Sequence, residues 1–453
     1  MKIIVIGCGK IGYAVAKSLA KENHDVAVID ENPKRIEYVT NTLDVMGVVG
    51  NGASHRVLAD AGVESADLVV ALTHSDERNI LCSMIAMKAG GARAIAKVTD
   101  PVYSEEVPYI MEDTGIAMLL NPEKVTADHI IRLLKMPSAI SIETFTKGQA
   151  EILKLEVPED CDYLNMSLVE IMKRVKEQVL ICAVSRDGDV FIPGGDYKLQ
   201  AGDLIEVLGA PKASSAFVKK LKVPGFTKVR MAMLMGASGM SEYIATELIK
   251  HGINVKVFDK DESKCIRFSQ NVPDAVVINS DPTAVTDLNE EGIENADAYV
   301  AISPEDEQNV LLSLYASSKS DAKVVTLLNH ENYETVTEHL NIGSTMSLQR
   351  VSAGMIVRYV RALNNSKGSN MESFVKMMDD KAFAMEFMVS ESSPVIGIPL
   401  ADLRLKRGAL FACIVRGRKT IIPSGVSVIE GGDTVIVVTT REDVMDISDL
   451  VEE

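Results

Sequence analysis

The stretch "MKIIVIGCGKIGYAVA", residues 1–16, runs from four apolar residues, Ile3 to Ile6, through three glycines into an amphipathic segment. Its pattern is that of a buried strand, a tight turn and the start of a helix. Gly7 permits the turn, Gly9 lets a pyrophosphate approach the backbone, and Gly12 lets helix and strand pack closely. Asp30 follows at the end of a second apolar run, Val26 to Ile29. Strand, glycine turn, helix and a distal acid together predict a nucleotide-binding βαβ unit, which the glycine spacing alone does not.

The same outline returns as "RMAMLMGASGMSEYIA" at residues 230–245. Gly7 falls on Gly236 and Asp30 on Asp259, both at an offset of 229. "GVESADLVVALTHSDERNILCSMIA" (62–86) matches "GIENADAYVAISPEDEQNVLLSLYA" (292–316), and "DVFIPGGDYKLQAGDLIEVL" (189–208) matches "KTIIPSGVSVIEGGDTVIVV" (419–438), both at 230. The chain is a duplication of a unit of about 225 residues.

Each unit has two textures. In the first, residues 3–6, 26–29, 45–49, 68–72, 94–98 and 116–120 read as short strands, separated by helical stretches such as 10–22, 53–61 and 77–89. That alternation predicts a parallel, doubly wound α/β sheet. "NPEKVTADHIIRLLKM" (121–136) reads as a helix opened by Asn-Pro. The second texture is strand-rich, at 151–160 and 178–209 with copies at 382–392 and 409–440, and predicts a small α+β module. One helix interrupts it, at 167–177 and 399–405. The linkers are "KVPGFTK" (222–228) between units and "NNSKGSN" (364–370) inside the second.

Composition narrows the function. The 453 residues exceed what one core supports. A net charge of −17, from 47 basic and 64 acidic residues with no basic run, argues against nucleic acid or anionic lipid as direct partners. No apolar run approaches the roughly 20 residues that span a bilayer, and the N-terminus does not read as a secretory signal, so a cytoplasmic location is expected. The six cysteines form no CxxC pair and read as reduced core residues.

The candidate ligand groups lie at the C-terminal ends of strands, where doubly wound sheets bind ligands. Helix N-terminal amides after the glycine turn would hold phosphates. Asp30 would accept from ribose hydroxyls and repel a 2′-phosphate, favouring NAD(H) or adenosine nucleotides over NADP(H). In "GNGAS" (50–54), Asn51 either faces the adenosine or merely forms a turn ahead of an N-cap at Ser54. In "THSDERN" (73–79), Thr73 faces the dinucleotide, Asp76 reads as an N-cap, and His74 reads as a surface loop residue. Lys97 is either a phosphate countercharge or a solvated lysine. In the second copy Ser238 and Ser241 replace two glycines, Ser280 and Asp281 replace Asn51 and Gly52, and Leu327 replaces Lys97, so weaker or different occupancy is expected there. No metal-ligand spacing, catalytic triad or acid–base cluster is visible, which points to sensing rather than catalysis.

The glycine turn, the "GNGAS" loop, "ADLVVALTHSDERN", "NPEKVTADHIIRLL" and "VFIPGGDYKLQAGDLIEVLG" occur in one order over essentially the whole chain. That order resembles the RCK (regulator of potassium conductance, or KTN) family, in the tandem form found in peripheral subunits of Trk-type potassium uptake. The resemblance implies two Rossmann-like doubly wound domains, each followed by a small α+β RCK C-terminal domain. The corresponding segments are 1–121 and 229–348 for the Rossmann domains, 122–142 and 349–370 for crossover helices with linker, and 143–222 and 371–453 for the C-terminal domains. It implies NAD(H) and/or ATP/ADP as ligand, no catalysis, and no metal. The partner implied is a membrane-embedded Trk-type potassium channel or transporter, gated through a hinge made where the crossover helix reaches a neighbour. The assembly implied is a homo-oligomer, a dimer assembling to a tetrameric ring, on the inner face of the membrane. The ligand-binding pattern carries over onto Gly7, Cys8, Gly9, Lys10, Ile11, Gly12, Asp30, Asn51, Gly52, Thr73, His74 and Lys97. In the second copy it falls on Gly236, Ala237, Ser238, Gly239, Met240, Ser241 and Asp259. A NAD-dependent oxidoreductase, or a regulatory subunit of another cation channel or antiporter, remains the alternative.

Overall fold

The computed structural model describes the chain apart from residues 101, 104–105, 222–228, 331–336, 338–339, 341, 366–370, 379–380, 442–443, 445 and 452–453. Side chains at 147, 362, 364 and 365 are likewise not described. The linker expected at 222–228 and most of the one expected at 364–370 lie outside the described residues.

The first six strands are β1 (Lys2–Ile6), β2 (Asp25–Asp30), β3 (Met46–Val49), β4 (Leu68–Ala71), β5 (Arg93–Lys97) and β6 (Met118–Leu120). They form one parallel sheet in the order β3-β2-β1-β4-β5-β6. The order reverses between β1 and β4, which opens a crevice at the carboxyl ends of those strands. The strands alternate with helices Lys10–Lys21, Pro33–Thr42 and Asp76–Gly90, with a shorter helix at His55–Asp60. Apolar faces of these helices bury Val5, Val15, Leu19, Val28 and Val70 on one side of the sheet. Ile4, Ile6, Leu58, Val69 and Cys82 are buried on the other.

A small antiparallel sheet follows, made of β7 (Ser141–Phe145), β8 (Ala150–Glu156), β9 (Val179–Arg186), β10 (Asp189–Phe191) and β11 (Leu204–Gly209). The second copy repeats the parallel sheet with β12 (Met231–Met235), β13 (Asn254–Asp259), β14 (Val276–Asn279), β15 (Ala298–Ala301), β16 (Lys323–Leu327) and β17 (Ser344–Met346), in the matching order β14-β13-β12-β15-β16-β17. It repeats the small sheet with β18 (Met371–Met377), β19 (Ala382–Met388), β20 (Ala409–Arg416), β21 (Lys419–Ile421) and β22 (Thr434–Thr439). Even an irregularity is copied, since register shifts between Glu206 and Val207 and again between Phe411 and Cys413.

One expected helix does not form. Residues 168–175 are helical in the first small module, closed by a capping box in which Ser167 and Glu170 bond each other's backbone. Residues 399–405 are turns with an isolated bridge at each end, at Pro399 and Leu405. Pro399 holds the bridging position of Ser167, and the segment to the next strand is two residues shorter. Proline has no cap hydroxyl, and a shorter connection leaves no room for two turns.

The connecting helices lock the halves together. Pro122–Lys135 is capped by Asn121, whose side chain accepts from the Lys124 amide at 3.0 Å. Besides the first small sheet, it packs on helix Gly239–Lys250 of the second half, with Ala127, Ile130, Ile131 and Leu134 buried in one cluster with Ala237, Met240, Ile244 and Leu248. The Tyr243 hydroxyl donates to Asp128 at 2.9 Å across this contact. Reciprocally, Leu348–Asn365 packs on Lys10–Lys21, with Ile356, Val357 and Val360 against Ala14, Val15 and Leu19. Arg361 from that helix reaches Glu22 of the first half and also donates to the Phe374 carbonyl at 3.1 Å. The neighbour each helix reaches is therefore the other half of the same chain. The two small sheets also meet, through Phe145, Ile152 and Leu208 on one side and Met377, Ala412 and Val438 on the other.

Candidate ligand pocket and its worn copy

At the crevice between β1 and β4 lies a cavity of about 670 Å³. Gly7, Gly9, Lys10, Ile11, Asp30, Gly52, Thr73, His74 and Lys97 line it, so nine of the twelve residues expected in the first copy come together. The volume is in the range of small-molecule and cofactor sites.

The glycine turn explains itself atom by atom. Gly7 has φ +96°, a left-handed backbone open to glycine, and a Cβ there would meet the Leu72 carbonyl at 2.8 Å. A Cβ on Gly12 would fall 1.8 Å from the Gly7 carbonyl oxygen, so Gly12 serves the packing of turn on helix and does not line the cavity. A Cβ on Gly9 would meet nothing within 4 Å. Gly9 is the N-cap of helix Lys10–Lys21 and supplies no side-chain cap. The start of that helix, at Gly9, Lys10 and Ile11, thus lies on the cavity wall without a side-chain cap, as an anion site requires.

Asp30 is nearly buried and already engaged. Its Oδ2 accepts from the Cys8 amide at 2.7 Å and its Oδ1 from the Asn32 amide at 2.8 Å, with the Arg35 guanidinium at 3.6 Å. It ties the glycine turn to the end of β2 while still presenting an edge to the cavity. Cys8 is buried beneath the turn and outside the cavity wall, and burial with the Asp30 charge pushes its thiol up to about 12. It is an unreactive packing residue. Asn51 also stays off the wall: its side chain accepts from the Ala53 amide at 2.9 Å in a local turn, and Gly50 and Gly52 take the wall positions. The turn expected ahead of Ser54 is formed. Ser54 stands at the following N-cap without a side-chain cap bond.

Asn79 was missed as a functional position and organises the next loop. It is fully buried, accepts from the Thr73 amide and hydroxyl at 2.7 Å each, and donates to the Lys97 carbonyl at 2.9 Å. One side chain thereby fixes two cavity-lining residues on neighbouring strands. Asp76 is not the N-cap; Ser75 is, accepting from the Arg78 amide at 3.2 Å. Asp76 sits buried at the first helical position and accepts from the Thr99 and Asp100 amides, both at 2.7 Å. Its carboxylate holds the chain leaving β5. His74 is exposed, as a loop histidine should be, yet it forms part of the wall. Burial holds the Lys97 ammonium below its ordinary pKa, while Asp76 and then Glu123 pull it back up. His129, inside the first connecting helix, is held down to about 4 by burial beside Arg132 and Arg358, so it is neutral at physiological pH.

Three wall residues come from the second half: Asn329, Leu348 and Gln349. No local pattern in the first half signals them. Glu31 and Arg78, also on the wall, pair at 2.9 Å.

The second turn has the same frame and different chemistry. Asp259 accepts from the Ala237 and Asp261 amides at 2.8 and 2.9 Å, copying Asp30. Asn309 repeats Asn79, accepting from Ser303 and donating to the Leu327 carbonyl at 2.9 Å. Gly236 keeps the left-handed backbone, at φ +114°. But Ser238 caps the helix, accepting from the Ser241 amide at 3.2 Å, and the Ser241 hydroxyl donates to the Gly236 carbonyl. Ser241 is fully buried where Gly12 stands in the first copy, and Ala237 and Met240 are buried against the first connecting helix. Gly239 opens the helix where Lys10 stood.

Among the described residues no helix is long and apolar enough to cross a membrane, and no cluster of metal-ligating side chains is present. All six cysteines are buried and none is in a disulfide.

The profile described as the TrkA-N domain matches residues 3–122 and 232–348, and that described as the TrkA-C domain matches 152–222 and 384–452. The chain is 29% identical over 447 residues to the Trk system potassium uptake protein TrkA homolog 1 of Methanosarcina mazei, covering 96% of this chain and 97% of that one. It is 29% identical over 452 residues to the TrkA homolog of Archaeoglobus fulgidus (99% and 100% covered), and 28% identical to the Trk system potassium uptake protein TrkA of Halomonas elongata (96% and 95%). In three dimensions it is similar to the GsuK channel bound to NAD, with TM-score 0.61 at 19% identity over 97% of this chain and 77% of that one. The GsuK RCK domain gives 0.60 at 18% identity, over 97% and 92%. At those identities the likeness is one of fold.

Proposed function

The chain belongs to the TrkA family, with tandem TrkA-N and TrkA-C domains, and from that membership we propose that it is the nucleotide-sensing regulatory subunit of a Trk-type potassium uptake system. The ligand is NAD(H) or ATP/ADP, held in the first cavity. Free helix amides and Lys10 meet the phosphates, the Asp30 edge meets a ribose, and Lys97 stands at the phosphate end. The assigned ligand residues of the first copy are those on the cavity wall, with Cys8, Gly12 and Asn51 supporting the turns. No catalytic step is assigned to any of them.

The observation that carries this reading is that both halves build one cavity: Asn329, Leu348 and Gln349 close a site whose turn belongs to the other half. A ligand shifts a conformational balance only through different affinity for the two shapes. A ligand that touches both halves has that leverage, because any change in their relation changes its contacts. Nucleoside diphosphates and triphosphates differ at the phosphate end, so that end is the lever. The chain acts at the cytoplasmic face through a membrane-embedded partner that conducts the potassium. Leu81 and Leu311 occupy matching places on repeat-related helices and are 49% and 67% exposed, which supports assembly of copies into dimers and a tetrameric ring.

The test is Gly9→Arg. Backbone at Gly9 accommodates a Cβ, so the arginine leaves the turn intact and fills the cavity. The variant is expected to lose nucleotide binding, and flux through the co-purified membrane partner is expected to stop responding to ATP, ADP, NAD+ and NADH. A folded Gly9→Arg protein that still switches flux normally overturns the proposal.

A further inference from the structure

The two glycine turns face opposite electrostatic settings, and the difference is traded across the halves. The first turn opens a helix that starts with Lys10 and carries no acid in its first turn; Lys97 stands on its cavity wall. The residue facing it from the second half is neutral Gln349, second in helix Leu348–Asn365. The second turn opens a helix that starts with Gly239 and carries Glu242 in its first turn, and Leu327 replaces Lys97. The residue facing it from the first half is Glu123, second in helix Pro122–Lys135, whose Oε2 lies 4.0 Å from where a Cβ on Gly239 would stand. Glu123 and Gln349 are repeat equivalents, as are Lys97 and Leu327. The charged pair of the first half is thus replaced in the second by a neutral pair, and the helices exchange partners.

We propose that the second glycine turn is closed to phosphates from within, with Ser238 and Ser241 taking its helix-end hydrogen bonds and Glu123 supplying the negative charge a phosphate would bring. A helix N-terminus favours one nearby anion, and a resident carboxylate both satisfies that preference and repels a second anion. Desolvation pushes the Glu123 carboxyl up from its ordinary value, while Lys97 pulls it down and Asp76 pushes it up, so the same side chain also feels the first site. Glu123 therefore reports between the halves: it neutralises part of the Lys97 charge in the first site and blocks the turn of the second. Each chain takes one anionic nucleotide, in the first cavity.

The inference rests on the first cavity being the nucleotide site, and the experiment separates the two. Full-length protein is titrated calorimetrically with ADP, as wild type and as Glu123→Gln/Ser238→Gly/Ser241→Gly, with circular dichroism and thermal melts confirming the fold. One ADP per wild-type chain and two per variant chain are expected. Two per wild-type chain, or a folded variant that gains no site, overturns the inference. A wild type that binds none removes the reading of the first cavity, and the inference then stands or falls on whether the variant gains a site. Glu123→Gln alone is expected to tighten ADP binding at the first cavity, since Lys97 loses a competing anion. A merely helix-stabilising Glu123 would lower the melting point and leave that affinity unchanged.

Discussion

The Gln349 side-chain amide donates a 2.8 Å hydrogen bond to the Asn329 carbonyl, and both residues wall a cavity whose glycine turn lies in the other half of the chain. The Gln349 oxygen accepts from the Ser347 hydroxyl at 2.7 Å, so the side chain is held at both ends. Gln349→Ala removes that wall and leaves a carbonyl without its donor. Nucleotide affinity is expected to fall about threefold to tenfold, equivalent to roughly 1 kcal/mol. The ligand-induced rise in melting temperature is the readout, and it should shrink more than the melting point of the free protein.

Asn79→Ala and Asn309→Ala separate scaffold from site. Each asparagine is fully buried and bridges the ends of two adjacent strands through three hydrogen bonds or more. Losing either leaves buried polar groups unpaired, and each variant is expected to be less stable by about 2–3 kcal/mol in denaturant titrations. Only Asn79→Ala should also weaken nucleotide binding, because only its partners, Thr73 and Lys97, line the cavity.

The glycines of one turn should differ sharply in tolerance. Gly12→Ala drives a methyl to 1.8 Å from the Gly7 oxygen and forces the turn from its helix. A loss of about 1–3 kcal/mol is expected, together with loss of nucleotide binding. Gly9→Ala meets nothing within 4 Å and should leave the thermal midpoint nearly unchanged. Equal destabilisation by both would contradict the geometry.

Glu151 gives a pH signature. It is buried on β8 with one oxygen lacking a hydrogen-bond partner, and burial pushes its pKa up to about 7, against smaller opposing effects of Ser214 and Arg132. The folded protein therefore holds this proton more tightly than the unfolded chain. Stability from this group is present below the unfolded carboxyl pKa and is lost as pH rises through 7. Glu151→Gln is expected to match wild type near pH 5 and exceed it near pH 8 in denaturant midpoints. A variant no more stable than wild type at pH 8 would contradict the assignment.

The parallel sheets, the duplication and the glycine turn were legible because each is written in local pattern: apolar runs of strand length, punctuating glycines, and one pattern set down twice. The connecting helix was legible for the same reason, through Asn121 and Pro122. Its destination was not, since hydrophobic periodicity shows that Ile130 and Leu134 are buried without showing against what. The contribution of Asn329 and Gln349 to the first cavity was hidden for that reason too, across more than half the chain. β7 and β18 were not anticipated, being edge strands that pair only once the rest of the small sheet exists. The missing helix at 399–405 was readable in hindsight: a proline in place of a capping serine and two residues fewer are local facts, masked by strong similarity on either side. Asp76 misled because an acid at a helix start satisfies two descriptions, and only the Thr99 and Asp100 amides decide between them.

Helix Leu348–Asn365 begins at the first cavity, where Leu348 and Gln349 form its wall, and near its other end Arg361 grips both Glu22 and the Phe374 carbonyl of the second small module. One continuous helix therefore joins the wall of the first half's cavity to the small module of the second half. A ligand held in that cavity would bear on a module built by the other copy, so under the proposed function the second copy would keep a structural task even where its own glycine turn held nothing.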